Sequence, residues 1–249
     1  MWEARLLTEV SVTSAGKGQM LNIQGLQKTT LLDYPGLVAA TIFMGGCNMR
    51  CRFCHNMNIV TDPGPGEFSD EGVLRFLSAR SGILDGVCIT GGEPTLYPEL
   101  PDFIRLIKNL GYKVKLDTNG TNPQMLKALI DESLIDYVAM DIKSSLSEYG
   151  NVCGIQDIKL APIKESIDLL LSDIVDYEFR TTTVEEFYDL NTATEIGKLL
   201  SGARRYYLQG FVASEYVPDK TLHEVAKEKL EEYCRELEKY IETVEIRGV

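Results

Sequence analysis

Residues 37–54 read Leu-Val-Ala-Ala-Thr-Ile-Phe-Met-Gly-Gly-Cys-Asn-Met-Arg-Cys-Arg-Phe-Cys, an apolar run followed at once by two glycines and three cysteines. A near-continuous apolar run of this length is typical of a strand buried on both faces of a parallel sheet. Cys47, Cys51 and Cys54 then lie in the loop that follows the strand, with C-x3-C-x2-C spacing. This stretch predicts an α/β fold with a thiol-bearing loop at the carboxyl end of a buried strand.

The same alternation continues along the chain. Further apolar, β-branched runs occupy residues 86–90, 113–117, 135–142, 176–183 and 205–212, and helical patterns lie near 70–80, 99–110, 122–132, 162–172, 190–201 and 220–240. Successive strand–helix units predict a parallel sheet with right-handed crossovers. Because eight such units close a TIM barrel, six predict a partial, open (β/α)6 TIM-like barrel with outer helices. A flat doubly wound sheet is the alternative.

The rest of the composition sets the domain plan and limits the partners. Residues 1–20 show no clear period and are interpreted as an N-terminal extension, whereas residues 21–249 are predicted to form a single domain. The chain of 249 residues has 25 Lys and Arg against 37 Asp and Glu, a formal net charge of −12. Such an acidic surface repels nucleic acids and anionic membranes. The sequence contains no apolar stretch near the roughly 18 residues of a membrane span and no signal-peptide pattern, so a cytoplasmic location is predicted.

Three thiols in eight positions indicate metal or redox chemistry, because the chain lacks a secretory pattern. Thiolates select iron–sulfur clusters, zinc or copper(I). A closed zinc site needs four protein ligands, and the fourth here would have to be His55, directly beside Cys54. A cubane cluster on three thiolates instead leaves one iron open to a small molecule. The spacing favours the open-iron cluster, with zinc and a redox thiol as alternatives. Cys88 and Cys234 are predicted core residues, whereas Cys153 is predicted to lie in a loop and to be the thiol with most potential for reactivity.

Polar motifs follow or end nearly every predicted strand, and the carboxyl ends of parallel strands meet at one rim. The candidate residues in these motifs are Gly91, Gly92 and Glu93 in Gly-Gly-Glu-Pro, Asp117 and Thr118 in Asp-Thr-Asn-Gly, Asp141 and Lys143 in Asp-Ile-Lys, Arg180 in Arg-Thr-Thr, and Gln209 in Gln-Gly-Phe. Each has a structural alternative, such as a tight turn or a buried ion pair. Arg180 is costly to bury unpaired and suits a carboxylate partner.

The C-x3-C-x-aromatic-C pattern, with Phe53 before the third cysteine, resembles that of the radical S-adenosylmethionine (SAM) superfamily. More narrowly, Leu-Asp-Tyr-Pro-Gly at 32–36 and Cys-His-Asn at 54–56 resemble the activating proteins of anaerobic ribonucleoside-triphosphate reductase, which are glycyl radical enzyme activases. The resemblance runs from about residue 22 to 215. Pyruvate formate-lyase activases share most of these motifs.

The resemblance implies an oxidoreductase with one [4Fe-4S] cluster on Cys47, Cys51 and Cys54, and a SAM site beside it. The residues implied in cofactor binding are Phe53, Gly91, Gly92, Glu93 toward the SAM amino group, Asp117 and Thr118 toward its ribose and carboxylate, Asp141 and Lys143 near SAM and the partner's peptide, Arg180 toward the carboxylate, and Gln209. A monovalent cation near Asp117 and Asp141 is a further implication, carried over from the pyruvate formate-lyase activases.

The activity implied is reductive cleavage of SAM that generates a glycyl radical on a partner enzyme, with anaerobic ribonucleotide reductase favoured. An electron donor such as flavodoxin or ferredoxin is a second implied partner. The alternatives are an activase of a pyruvate formate-lyase-type enzyme and another radical SAM enzyme that modifies peptides or small molecules. From a different class, an iron–sulfur electron carrier or a zinc-bearing binding module would not bind SAM.

Overall fold

A computed structural model describes residues 21–248, so the predicted extension 1–20 lies outside the described part. Within it the chain forms one eight-stranded sheet. Its strands are β1 (Ile23–Thr30), β2 (Ala39–Met44), β3 (Gly86–Gly91), β4 (Lys113–Thr118), β5 (Tyr137–Asp141), β6 (Asp176–Thr183), β7 (Arg205–Gly210) and β8 (Thr243–Arg247). The helices are α1 (Met57–Thr61), α2 (Asp70–Ser78), α3 (Leu100–Asn109), α4 (Pro123–Asp131), α5 (Tyr149–Cys153), α6 (Leu160–Leu171), α7 (Leu190–Leu199) and α8 (Lys227–Leu237).

The strands are arranged in the sheet in their order along the chain, from β1 to β8. β1 pairs with β2 in antiparallel register, and every later pair is parallel. Within residues 21–248 no ladder joins β8 back to β1, so the sheet is open. This confirms the partial barrel and excludes the doubly wound alternative, whose strand order reverses at a switch point.

The six predicted strands correspond to β2–β7, and the sheet has two more strands than the sequence pattern predicts. Two further strands form the edges, and neither contains a long apolar run. β1 reads Ile-Gln-Gly-Leu-Gln-Lys-Thr-Thr and is fully buried only at Ile23 and Thr30. β8 has no fully buried residue. An edge strand has one neighbour and carries polar side chains that discourage further pairing, so it lacks the apolar signature of an interior strand.

Side-chain hydrogen bonds fix several helix starts at the predicted places. Ser69 accepts from the Gly72 amide before α2, and Asn122 accepts from the Met125 amide before α4, as expected for N-cap residues. The predicted helix 220–240 begins only at Lys227, because the preceding residues form an irregular segment that pairs with the chain after β6, where the Glu185 amide donates to the His223 carbonyl at 3.1 Å. No helix of residues 21–248 has the length and apolar character needed to cross a membrane.

The two faces of the sheet differ in chemistry. Outward-facing side chains such as Val87 and Ile89 are fully buried and belong to the main apolar core, to which the outer helices also contribute. The inner face of the half-barrel is polar: Thr41, Cys88 and Lys115 stand side by side on β2, β3 and β4, and all three are buried. The interior of this barrel is therefore polar and suits charged groups rather than an apolar core.

Candidate functional site

One open cavity lies at the carboxyl ends of β2–β6, with an empty volume of about 830 Å³ including its mouth. Every predicted site residue except Gln209 lines it. These are Cys47, Cys51, Phe53, Cys54, Gly91, Gly92, Glu93, Asp117, Thr118, Asp141, Lys143 and Arg180. The topology thus brings together residues that are up to 133 positions apart in the sequence, from Cys47 to Arg180.

The loop 45–56, here called the cysteine wall, rests against the glycines that end β3. A Cβ atom on Gly92 would lie 1.8 Å from the carbonyl oxygen of Gly46, and one on Gly91, where φ is +107°, would lie 2.5 Å from the Met44 amide nitrogen. The Gly92 amide donates to the Met44 carbonyl at 2.7 Å. Gly92 therefore receives the backbone of the cysteine wall, and Gly91 lies against Met44 at the end of β2, a reason for their presence that the sequence pattern alone did not identify.

Helix α5 supports the cysteine wall from the other side. The Arg50 amide donates to the Cys153 carbonyl at 2.8 Å. Gly154, with φ of +69°, brings its backbone so close that a Cβ would lie 2.3 Å from the Arg50 carbonyl oxygen. Cys153 itself is fully buried and ends α5, and burial raises the pKa of its thiol. The prediction of a reactive loop thiol was wrong: Cys153 is part of the support.

The three clustered cysteines are free thiols in one cavity. The pKa of Cys51 is raised to about 12, mainly by burial and also by the charges of Cys54 and Cys47, against the opposing effect of Lys143. The Met49 amide donates to the Cys47 sulfur at 3.4 Å, and the Asn119 amide group approaches it at 3.8 Å. A metal charge would stabilise these thiolates.

The cysteine wall supplies three thiols to a metal centre. A closed zinc site takes four protein ligands. His55, the only candidate for a fourth zinc ligand, instead contacts Ser214 at 3.2 Å and the ring of Phe211. The donor set fits an iron–sulfur cluster with one iron left without a protein ligand.

Glu93 joins the loops after β3 and β4. Its Oε1 atom accepts from the Thr95 amide at 3.1 Å, the Thr95 hydroxyl at 2.5 Å and the Thr118 hydroxyl at 2.8 Å, and its Oε2 atom accepts from the Asn119 amide at 2.7 Å. The side chain is only 1% exposed. Burial raises the pKa of Glu93 even though these four donors lower it. Oε1 is saturated, whereas Oε2 keeps a free acceptor position.

Opposite the cysteine wall, five charged side chains form a row on and just after β4, β5 and β6, here called the charged wall. Lys115 contacts Asp117 Oδ1, and Arg180 bridges Asp117 Oδ2 at 3.1 Å and Asp141 Oδ1 at 2.6 Å. Lys143 completes the row at 2.9 Å from Asp141 Oδ2. Positive and negative groups alternate, and three cations face two carboxylates. The charged wall therefore carries a net charge of +1.

The row sets the protonation of its members. Burial alone would raise the pKa of Asp117 and of Asp141, but Arg180 and the neighbouring lysines lower both below their usual value. Burial would lower the pKa of Lys143, but Asp141 raises it. All five groups are therefore charged at neutral pH. A cavity with this wall favours an anionic group at the tip of Arg180.

Gln209 is the predicted residue that the cavity leaves out. It lies on β7, one strand beyond the lining, where its carbonyl accepts from the Thr183 hydroxyl at 3.1 Å. Several lining residues were quoted within motifs and given no role: Asn56, Asn119 and Thr182. Asn56 donates to the Gly91 carbonyl at 3.1 Å, which ties the cysteine wall to β3. Their place in the Cys-His-Asn, Asp-Thr-Asn-Gly and Arg-Thr-Thr motifs was the signal available.

Comparison with known proteins agrees with this geometry. The model of the radical SAM superfamily matches residues 41–183, more than half of the chain. The chain therefore belongs to the radical SAM superfamily. It is 33% identical to a Methanocaldococcus jannaschii protein provisionally named a glycyl-radical enzyme activating enzyme, over 91% of this chain and 96% of that protein. This match along almost the whole of both chains places it in the activating-enzyme family.

Two further similarities cover less of the chain. The pyruvate formate-lyase-activating enzyme of Clostridium pasteurianum is 32% identical over 50% of this chain and 53% of its own length. The crystal structure of a domain of a pyruvate-formate lyase-activating enzyme from Bacteroides vulgatus superposes with a TM-score of 0.54 at 18% identity. It covers 66% of this chain and 99% of that domain. At that identity the superposition supports the fold alone.

Proposed function

We propose that this protein is an activase that cleaves SAM reductively and generates a glycyl radical on a partner enzyme. The observation that carries the proposal is the meeting of three free thiols and a charged wall in one open cavity. The relative that matches almost the whole chain bears the name of a glycyl-radical enzyme activating enzyme, which supports the same activity. The reaction would take place in the cytoplasm.

Cys47, Cys51 and Cys54 would hold a [4Fe-4S] cluster, and the missing fourth thiolate would leave one iron open to the amino and carboxylate groups of SAM. When bound, such a cluster would supply the one-electron reduction that cleaves the S–C5′ bond of SAM into methionine and a 5′-deoxyadenosyl radical. The backbone of the cysteine wall would supply N–H groups to the sulfurs, which tune the cluster.

The two ends of the SAM amino acid match groups on opposite sides of the cavity. Arg180 and Lys143, whose side chains are 13% and 15% exposed, reach the cavity and would attract the carboxylate. The free acceptor position on Glu93 Oε2 would take the ammonium group. Asp117 and Thr118 stay near the ribose in this arrangement. Phe53, Gly91 and Gly92 would shape the wall against which SAM lies, and Gln209 has no proposed contact.

A primary radical must be shielded from water and oxygen, and the open barrel does not enclose the cavity by itself. A glycine-bearing loop of the partner would close the mouth and present its Cα hydrogen to the 5′-deoxyadenosyl radical, which yields 5′-deoxyadenosine and the glycyl radical. We favour anaerobic ribonucleotide reductase as that partner, on the Leu-Asp-Tyr-Pro-Gly and Cys-His-Asn stretches. A flavodoxin or ferredoxin would supply the electron.

The test is anaerobic reconstitution with iron and sulfide, reduction with dithionite, addition of SAM and quantification of 5′-deoxyadenosine. Cys51→Ala should lose the visible absorption of the cluster and all SAM cleavage. Cys234→Ala is the matched control, since that buried thiol lies on α8 outside the cavity, and it should retain both. A Cys51→Ala protein that keeps absorption and cleavage would refute the cluster assignment. SAM that fails to bind the loaded protein would instead favour an electron carrier.

The second candidate partner is a pyruvate formate-lyase-type enzyme, favoured by the similarity to activating enzymes of that class. One experiment distinguishes the two candidate partners. The loaded protein is incubated with SAM, reductant and either purified glycyl radical enzyme, and the organic radical is recorded by electron paramagnetic resonance. The partner that gains the doublet of a glycyl radical is the substrate, and a signal on pyruvate formate-lyase alone would overturn the reductase assignment.

A further inference from the structure

A lysine beneath the cavity is not used by the mechanism above. Lys115 stands on the inner face of β4 and is only 2% exposed. Its ammonium group contacts Asp117 Oδ1 and lies 3.9 Å from the Cys88 sulfur. Burying an ammonium is costly unless it is paired, so the Asp117 contact is what keeps Lys115 in place.

Each carboxylate oxygen of the charged wall already contacts a protein cation. Asp117 Oδ1 contacts Lys115 and accepts from the Cys88 thiol, and Oδ2 contacts Arg180 and accepts from the Thr90 hydroxyl. Asp141 Oδ1 contacts Arg180 and Oδ2 contacts Lys143. The resemblance implies a monovalent cation near these two aspartates, but every oxygen that would bind it already faces a protein cation. A further cation would add positive charge to a wall that already carries +1.

The three protein cations are not equivalent when SAM binds. Arg180 and Lys143 border the cavity and can turn their donors toward a carboxylate, whereas Lys115 does not line the cavity. Lys115 is enclosed between Cys88 and Asp117, so its ammonium group stays in contact with Asp117 when Arg180 and Lys143 turn toward SAM. An alkylammonium group has the charge of K⁺ and a similar size.

We propose that the Lys115 ammonium is a permanent counter-ion of Asp117, so that the SAM site of this protein binds no monovalent cation and needs none. The inference rests on the proposed use of the cavity for SAM. It assigns Lys115 as a positioning residue, since it acts through Asp117 and Arg180 and does not touch SAM.

The first test uses the protein without its cluster. Thermal unfolding is followed in KCl, NaCl and tetramethylammonium chloride at equal ionic strength. The wild type should show the same midpoint within about 1 °C in all three. Lys115→Met should unfold at a lower temperature, and K⁺ or Na⁺ should raise its midpoint relative to tetramethylammonium. Lys113→Met, an exposed lysine on the same strand, should remain indifferent to the cation.

The second test measures SAM affinity of the reconstituted protein in the same salts. The wild-type affinity should agree within about twofold between K⁺ and tetramethylammonium. Lys115→Met should bind SAM at least tenfold more weakly in tetramethylammonium and recover part of that loss in K⁺. Lys115→Arg keeps the charge and should stay indifferent to the salt.

Three results would overturn the inference. They are a saturable gain of more than fivefold in wild-type SAM affinity with K⁺ or Na⁺, a cation-specific rise of several degrees in the wild-type midpoint, and a folded Lys115→Met protein without cation dependence. If Lys115→Met does not fold, the unfolding midpoints and SAM affinities of the wild type in the different salts decide the question alone. Absence of SAM binding in every salt would defeat the proposed function instead, while the unfolding midpoints still test the counter-ion.

Discussion

The two walls of the cavity are held in position by different forces. The cysteine wall is a loop fixed by backbone hydrogen bonds and by contacts that only glycine permits, at Gly91, Gly92 and Gly154. The charged wall stands mainly on strands and is fixed by a row of ion pairs centred on Arg180. The comparison teaches that added volume should disturb the cysteine wall, whereas removed charge should disturb the charged wall.

The largest expected effect is the loss of the central charge. Arg180→Met leaves two partly buried carboxylates without their shared cation, so the free energy of unfolding should fall by about 2–4 kcal/mol, somewhat less than for a fully buried pair. Urea unfolding of the protein without its cluster measures this. The control is Arg105→Met on α3, an exposed arginine that pairs with Asp102 and Glu132 and whose loss should change the free energy of unfolding little, because solvent screens exposed pairs. Equal losses in both proteins would show that the charged wall is not held by charge.

Added volume, rather than lost charge, should disturb the cysteine wall. Gly92→Ala places a methyl group 1.8 Å from the Gly46 carbonyl oxygen, so the cysteine wall must shift, at a cost of about 1–3 kcal/mol. Iron content after reconstitution should fall with it. Gly111→Ala, where φ is +90° but no atom lies within 4 Å, isolates backbone strain and should leave iron loading intact. Normal iron loading of Gly92→Ala would contradict the requirement for glycine at the close contact with Gly46.

Acid should weaken the charged wall selectively. The pKa of Asp141 lies below its usual value of 3.8 because Arg180 and Lys143 outweigh the effect of burial. Its stabilising contribution is present above that value and is lost as the pH falls below it, on the order of 1 kcal/mol between pH 5 and pH 3.

The comparison of wild type with Asp141→Asn measures this contribution through denaturant unfolding across the same pH range. The difference between the two proteins cancels the opposite contribution of Glu93, whose pKa is raised by burial. The wild type should lose more stability than the variant on acidification. Parallel pH curves would remove Asp141 as the acid-sensitive group, and the exposed Asp131→Asn serves as control.

The smallest expected effect concerns the ion pair between Arg52 of the cysteine wall and Asp219. Arg52 donates to Asp219 at 2.9 and 2.5 Å and lies over the ring of Phe187, but its side chain is 45% exposed. Exposed pairs contribute little, so Arg52→Ala should lower the free energy of unfolding by less than about 1 kcal/mol. Iron loading should be unchanged. A loss as large as that of Gly92→Ala would mean that ion pairs hold this wall too.

The sequence predicted the interior of the sheet and one rim of motifs because both have strong local signatures. The strands β2–β7 contain the buried apolar positions that the pattern detects, and parallel topology alone brings their carboxyl ends together. The edge strands β1 and β8 were missed because a half-exposed strand has a mixed composition. Gln209 was grouped with the rim from its position at the end of a strand, but it lies on β7, one strand beyond those that line the cavity.

Other features of the site depend on contacts that no local pattern reports. Lys115 alternates with apolar residues in β4, and only the fold shows that its ammonium lies between Asp117 of the same strand and Cys88 of β3. The glycines at 91 and 92 were predicted to admit a ligand, and both line the cavity. Their close contacts with the backbone of Met44 and Gly46 could not be predicted from the sequence. The support from Cys153 likewise joins segments about 100 positions apart.

Sequential strand order has a consequence for how the protein assembles. Each strand pairs with the strand before it along the chain, so the sheet can grow by local additions, which favours rapid folding, and synthesis delivers the N-terminal strands first. The cysteine wall needs only β2, β3 and their loops among the strands, whereas the ion-pair row is complete only once β6 has joined. A ribosome-bound chain would thus present its three thiols before their cationic surroundings exist.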